Sequence, residues 1–177
     1  LEGDAFCVQL CEYASIPMTD HQEYVKDWVV RNKLNYAECH YVLNEGEYEL
    51  QLLETPPVEP EELIEAVRWR LKDLITLPVE DAVIDAFHLP EDAYRGRIKM
   101  LYAVAAKKET IEETLLFVKK CGLSNSVIEI PEMALRNMAL YLPEMDFGTV
   151  ALLNMHETQG EMLMFSHDAM YLSRQIE

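Results

Sequence analysis

Positive charge is scarce in this chain. Fifteen lysines and arginines stand against 32 aspartates and glutamates, for a formal net charge of −17. A nucleic-acid backbone or an anionic lipid surface needs a positive face, so neither is expected as the partner of so acidic a chain. Long apolar runs are lacking too. Nothing approaches the ~20 residues that cross a bilayer, so no membrane insertion is expected. Glycine (6) and proline (8) are few while half of the residues are apolar, which excludes a disordered or fibrous chain and leaves material for a core. The opening "LEGDAF" has neither a signal-peptide pattern nor an initiator Met. It reads as the start of an excised piece, with Leu1-Glu2 as a cloning scar. No repeat or low-complexity tract is present.

Cysteine is limited to Cys7, Cys11, Cys39 and Cys121. If "DAFCVQLCEY" is a strand, Cys7 and Cys11 share a face but stand ~13 Å apart, too far for one metal or one disulfide. All four are expected to be reduced and buried.

What is present is a regular alternation of strands and helices. Val8 and Leu10 sit in a short apolar strand. In "TDHQEYVKDWVVRNKL", Asp20 and Glu23 have capping-box spacing, and Tyr24, Val25, Trp28, Val29 and Leu34 recur at helical spacing. "AECHYVLN" and "EYELQLLET", separated by Glu45-Gly46, read as a hairpin. A helix is predicted from Pro60, with Leu63, Ile64, Val67, Leu71 and Leu74 as its buried stripe. "AVIDAFHL" and "IKMLYAVAAK" are strands. "ETIEETLLFVKKCGL" is a helix whose Lys119, Lys120 and Gly122 suit its carbonyl end. Strand "NSVIEI" leads into helix "PEMALRNMALYL". The segments "TVALLNM", "EMLMFSH" and "AMYLSRQIE" form a meander. This order fits an α/β protein with a mixed sheet. Three strands can hardly bury both faces alone, so the meander is read as the start of a second lobe.

One stretch carries a resemblance. "PEELIEAVRWRLKDLITLPVEDAVIDAFHLPED", with Arg68-Trp69, Leu77-Pro78, Glu80-Asp81 and Asp85, resembles a segment of the PilM and MshI group. These are actin-like cytoplasmic proteins of type IV pilus assembly, including the mannose-sensitive haemagglutinin (MSHA) pilus. "MLYAVAAKKETIEETLLFVKKCGL", "VIEIPEMALRNMALYL" and "YLSRQIE" resemble later segments of the group in the same order, from about Glu38 to the end. "WRLKDLI-LPVEDAVID" with "IPEMALRNMA" looks most like MshI. The cytoplasmic part of the type II secretion L protein is a more distant relative.

The resemblance implies an actin-like, ribonuclease H-like fold: a mixed sheet with crossover helices. Residues 1–143 would form the first lobe, with an inserted subdomain around 56–130, and residues 144–177 would open the second. In nucleotide-binding members of this superfamily the first turn of the second-half meander carries Asp-x-Gly. Matched by position, Asn154 stands where the Asp should be and His156 where the Gly should be. An Asn cannot supply the carboxylate that orients metal-bound water, and a His side chain obstructs close backbone approach to phosphate. The phosphate loop is therefore degenerate. No catalytic residue, cofactor or metal is expected. His156 and Glu157 lack a third ligand nearby in sequence and read as solvated turn residues.

The expected function, by resemblance, is a non-catalytic assembly scaffold in the cytoplasm, peripheral to the inner membrane through a protein partner. It would bind the cytoplasmic tail of a bitopic inner-membrane pilus-assembly protein. The alternative is a nucleotide-dependent actin-like regulator or filament former of the same machinery. Self-association is compatible with either. The region after the Arg-Trp helix is the candidate tail site: Trp69 as aromatic anchor, Leu74 and Leu77 as walls, Pro78 as rigid turn, Glu80 and Asp81 to steer a cationic tail. Trp69 fits a half-buried core edge equally well. Met155, Met162, Met164 and Met170 alternate through the meander and are expected in the core.

Overall fold

The computed structural model describes residues 7–93, 98–155 and 160–176. Leu1, Glu2, His156 and Glu157, on which expectations fell, lie outside the described residues.

The centre of the molecule is one strand. β4 (Met100–Lys107) is flanked on both sides, antiparallel, by β2 (Tyr48–Glu54) and β3 (Ala82–His88). Side chains alternate across a strand, so β4 serves two cores. Leu101, Ala103 and Ala105 face α2 (Leu63–Leu71) and join Leu53, Ile84 and the helix residues Val67 and Leu71. Tyr102 faces the opposite layer and packs with Leu163, Phe165 and Met170 of the meander. The alanines of β4 let the α2 helix lie close against the sheet. The helix opens through a 3-10 turn at Pro60–Glu62, whose proline already has helical φ. It ends at Leu71, with the amides of Leu74 and Ile75 folding back on the Leu71 carbonyl.

A second sheet is parallel. β1 (Glu38–Val42) pairs with β5 (Ser124–Glu129) through the crossover helix α3 (Lys108–Lys120). The expected hairpin between β1 and β2 is therefore corrected. The turn exists: Glu47 N–H donates to the Asn44 carbonyl, and Gly46 takes φ +85°. The strands it joins do not pair with each other. The Leu43 amide still bonds to the Glu129 carbonyl at 2.9 Å, so the chain stays on β5 until the turn begins. A local turn signal fixes a change of direction and leaves the pairing partner open.

Two expectations at the chain's start are corrected as well. Residues 7–17 form no strand, and Val8 and Leu10 are exposed, because no neighbouring strand is described there to pair with them. Cys7 and Cys11 are exposed with them. Cys121 is buried and Cys39 is half-buried, and all four thiols are free. Helix α1 (His21–Arg31) lacks the expected Asp20 side-chain cap. Asp20 closes a 3-10 turn in helical φ/ψ and accepts the Thr19 hydroxyl instead, at 3.0 Å, so its carboxylate does not adopt the capping position. Glu12 holds the tail on this helix, accepting from the Tyr24 hydroxyl and from Trp28 Nε1.

The helix α4 (Pro131–Ala139) leads to the meander β6 (Thr149–Met155), β7 (Gly160–Ser166) and β8 (Ala169–Ile176). Its inner face carries Leu163 and Phe165, both fully buried. Met170 joins them, as expected. Met162 and Met164 alternate with the buried pair and are half-buried on the other face, and Met155 is exposed. Only one face of the meander is covered among the described residues, so the alternation cannot bury all four methionines.

Candidate functional site

The residues singled out after the Arg-Trp helix are not gathered into one groove. Trp69 is 74% exposed and lines a depression with Glu65, Arg68, Lys72, Val79 and Glu80. Pro78 and Asp81 line a different one, beside Lys107 and Lys108 at the start of α3. Leu77 packs against the core beneath α2, and Leu74 is exposed. Trp69 is therefore a surface residue and not part of the core. Its neighbour Arg68 is structural. The Arg68 guanidinium donates to the carbonyls of Val79 (2.8 Å) and Ala82 (3.3 Å), tying α2 to the start of β3. Asn154 lies on β6 opposite Glu161.

A better-built site lies between the two sheets. β3 is an edge of the antiparallel sheet and β5 an edge of the parallel one. A cleft of about 390 Å³ opens between them, with Val83, Asp85 and Phe87 on one side and Val127 to Ile130 on the other. Val104, Ala106, Ile111 and Leu43 make its floor, and Met133, Arg136 and Asn137 of α4 close one end. Val83 and Val127 remain 43% and 37% exposed although both are β-branched strand residues. Exposed apolar side chains on two facing strand edges are what a third, extended segment would cover.

The polar end of this cleft is fixed by a chain of bonds. Glu129 lies 3.1 Å from His40 Nδ1 and accepts from Asn137 Nδ2 at 3.2 Å. Arg136 donates to Asn137 Oδ1 and to the Asp168 carbonyl in the β7–β8 turn. These bonds tie β1, β5, α4 and the meander together. Asp85 is held by its neighbour's amide at 2.8 Å and stays exposed. The cleft is thus an apolar slot with two carboxylates at its rim and one guanidinium engaged elsewhere. An occupant that is apolar along its length and offers amide or cationic donors would suit it.

A second cleft, of about 640 Å³, lies between β2 and β8. It covers a buried acid pair. Glu132 (3% exposed) and Glu161 (6% exposed) face each other from α4 and β7. The Tyr48 hydroxyl donates to Glu132 at 2.9 Å, and Ser173 donates to Glu161 at 2.7 Å. Burial pushes the Glu132 carboxyl above its ordinary 4.5. The Glu161 carboxylate adds to that push, while the Glu132 amide and the Tyr48 hydroxyl oppose it. Burial first, and then the nearby carboxylates, likewise raise the Tyr48 phenol. A carboxyl whose folded pKa is raised contributes stability fully below its unfolded value. That stability is lost as pH rises through the folded value. Glu132→Gln keeps an acceptor for Tyr48 and needs no proton. Its melting temperature should fall less than wild type as pH rises from about 4.5 to 8. Parallel melting curves across that range would show that Glu132 carries no such penalty.

No family model and no curated protein sequence matches the chain. Among solved structures, it is similar to a chain of the PilM-PilN type IV pilus biogenesis complex. The TM-score is 0.71 and the identity 20%, over 88% of this chain and 47% of that one. It is also similar to the cytoplasmic domain of EpsL, an inner membrane component of the type II secretion system of Vibrio cholerae. There the TM-score is 0.58 and the identity 17%, over 88% of this chain and 56% of that one. A Bacteroides thetaiotaomicron protein with an actin-like ATPase fold aligns more remotely, with a TM-score of 0.39 and 7% identity over 72% and 44% of the two chains. The chain spans about half the length of the first two structures. What is shared with the first two is the fold, and the mixed α/β arrangement is the one expected from the sequence.

Proposed function

We propose that this chain is part of a non-catalytic assembly scaffold of a type IV pilus. Its cleft between β3 and β5 would hold the cytoplasmic tail of a bitopic inner-membrane partner as an extended segment. The observation that carries this reading is the cleft itself: two open strand edges with exposed valines, an apolar floor, and a rim with two carboxylates and an Arg136 already engaged with Asn137 and Asp168. Support comes from the shared fold, since one similar structure is a PilM-PilN complex and the other a cytoplasmic domain of an inner-membrane component. The "WRLKDLI-LPVEDAVID" and "IPEMALRNMA" segments favour the MSHA type within that class. An acidic chain of net charge −17 would draw a tail with basic residues towards it, speeding encounter more than deepening affinity. Co-purification of the full-length protein with its inner-membrane neighbours tests the reading. Recovery of one bitopic protein, lost when its cytoplasmic tail is removed, is the expected result. Recovery that survives tail removal would contradict it.

A nucleotide role is not part of this proposal, because Asn154 replaces the carboxylate that a phosphate-bound metal needs. Mg-ATP at about 5 mM should leave the melting temperature unchanged, whereas a ligand with a dissociation constant of about 1 µM would add about 5 kcal/mol of stability at that concentration. A micromolar dissociation constant by isothermal titration would overturn this.

A further inference from the structure

The two strands that bound the β3–β5 cleft do not meet it in the same way. β3 offers one face only: Val83, Asp85 and Phe87 line the cleft, with Val104 and Ala106 beside them on β4. β5 offers both parities, Val127 and Glu129 from one face and Ile128 and Ile130 from the other. Side chains alternate across a strand, so a cavity that touches both sets opens along the free edge of that strand. The slot is bounded by the edge of the parallel sheet on one side and by the face of the antiparallel sheet on the other.

The backbones differ too. In β3, the Leu89 amide donates to the Met100 carbonyl at 3.0 Å. That register bonds Val83, Asp85 and Phe87 to β4 and turns Ala82, Ile84 and Ala86 outward. Two of these outward groups are taken. The Ala86 amide donates to Asp85 Oδ1 at 2.8 Å, and the Ala82 carbonyl accepts from Arg68 at 3.3 Å. Such capping blunts an edge. In β5, the Glu129 carbonyl accepts from the Leu43 amide at 2.9 Å, so Glu129 turns to the β1 side and its neighbours Ile128 and Ile130 turn to the cleft. The Ile130 carbonyl is used by the amides of Met133 and Ala134 at the start of α4, each at 3.1 Å. Ile128, half-buried, keeps an N–H and a C=O aimed into the cleft, and no described strand receives them. Backbone groups in such a place are met by a further strand.

We infer that the partner's tail joins β5 as the third strand of the parallel sheet, exchanging backbone bonds with Ile128 and laying alternate side chains on Val104 and Ala106. The pairing rests on the cleft being the tail site. It fixes the chemistry of the occupant. The residue bonded to the Ile128 carbonyl has a free N–H, so it is not proline. The residues over the Val104 and Ala106 floor are apolar. Asp85 and Glu129 each retain acceptor capacity at the rim, so a lysine, arginine or amide side chain belongs beside them.

N-methylation along a synthetic peptide of the co-purified partner's tail tests this, because it removes one backbone donor at a time and keeps every side chain. Affinity for the full chain, read by titration calorimetry, should fall at least about tenfold at alternate residues and hold at those between. In the complex the Ile128 amide should exchange with deuterium at least about tenfold more slowly than in the free chain. The Ala86 amide, already bonded, should not change. A bound tail that tolerates N-methylation throughout, or is weakened alike at every position, would overturn strand addition. The cleft would still be the tail site if the Val83 and Val127 methyls shift. Slowing at Ala86 with none at Ile128 would put the tail on β3 and overturn the pairing with β5 as well. A tail that moves neither methyl would overturn both the cleft as tail site and the pairing.

Discussion

Leu71→Ala should cost this protein about 2–5 kcal/mol of stability, the largest effect expected from a single truncation on α2. Leu71 is fully buried and sits where α2 meets Leu101, Ala103 and Ala105 of β4. The opposing alanines are short and backbone-borne, so the sheet cannot reach forward to fill the space left. A site that cannot collapse retains the whole cavity, which places the cost towards the upper part of that range. Urea unfolding of both proteins measures it. A loss below about 0.5 kcal/mol would be that of a surface position and would remove α2 from the core. Trp69, two residues earlier on the same helix, should show the converse: truncation with little change in stability.

Placing a carboxylate on each lip of the cleft should abolish tail binding. Val83→Asp with Val127→Asp adds negative charge to walls that already carry Asp85 and Glu129. A bound apolar segment would have to desolvate these carboxylates without pairing them, at a cost of several kcal/mol. Affinity for the partner's tail should therefore fall at least about a hundredfold, as titration calorimetry with the tail peptide would read. Both valines are exposed edge positions, so the fold should survive, and circular dichroism checks that. Unchanged affinity in the folded double variant would move the tail off this cleft.

Much of the element pattern was legible because each element announces itself locally. α3 shows helical periodicity with Lys119, Lys120 and Gly122 at its end, and the structure ends it at Lys120 with Gly122 at φ +83°. β4 is a run of apolar and small residues, and it proves to be buried on both faces. Pairing was not legible. Tyr48 to Glu54 and Glu38 to Val42 are both good strands on either side of a good turn, yet β4 and β5, far along the chain, capture them. The cleft was illegible for the same reason, since its lining comes from Leu43, β3, β4, α3, β5 and α4. One signal was available. β3 is apolar at both parities, with Ala82 and Ile84 on one face and Val83 and Phe87 on the other. A strand at the edge of a sheet that is apolar on both faces has two surfaces to cover. The Arg68-Trp69 pair is conspicuous in the sequence, but the structure places Trp69 on the far side of α2 from the core.

The central claim is that the partner's tail lies between β3 and β5. Methyl and indole N–H chemical shifts on the full chain, titrated with the tail peptide, report this directly. Shifts are expected at Val83, Val104, Val127 and Ile128, which line the cleft, and none at the Trp69 indole. Shifts confined to the Trp69 indole and Val79, with the cleft methyls unmoved, would contradict it.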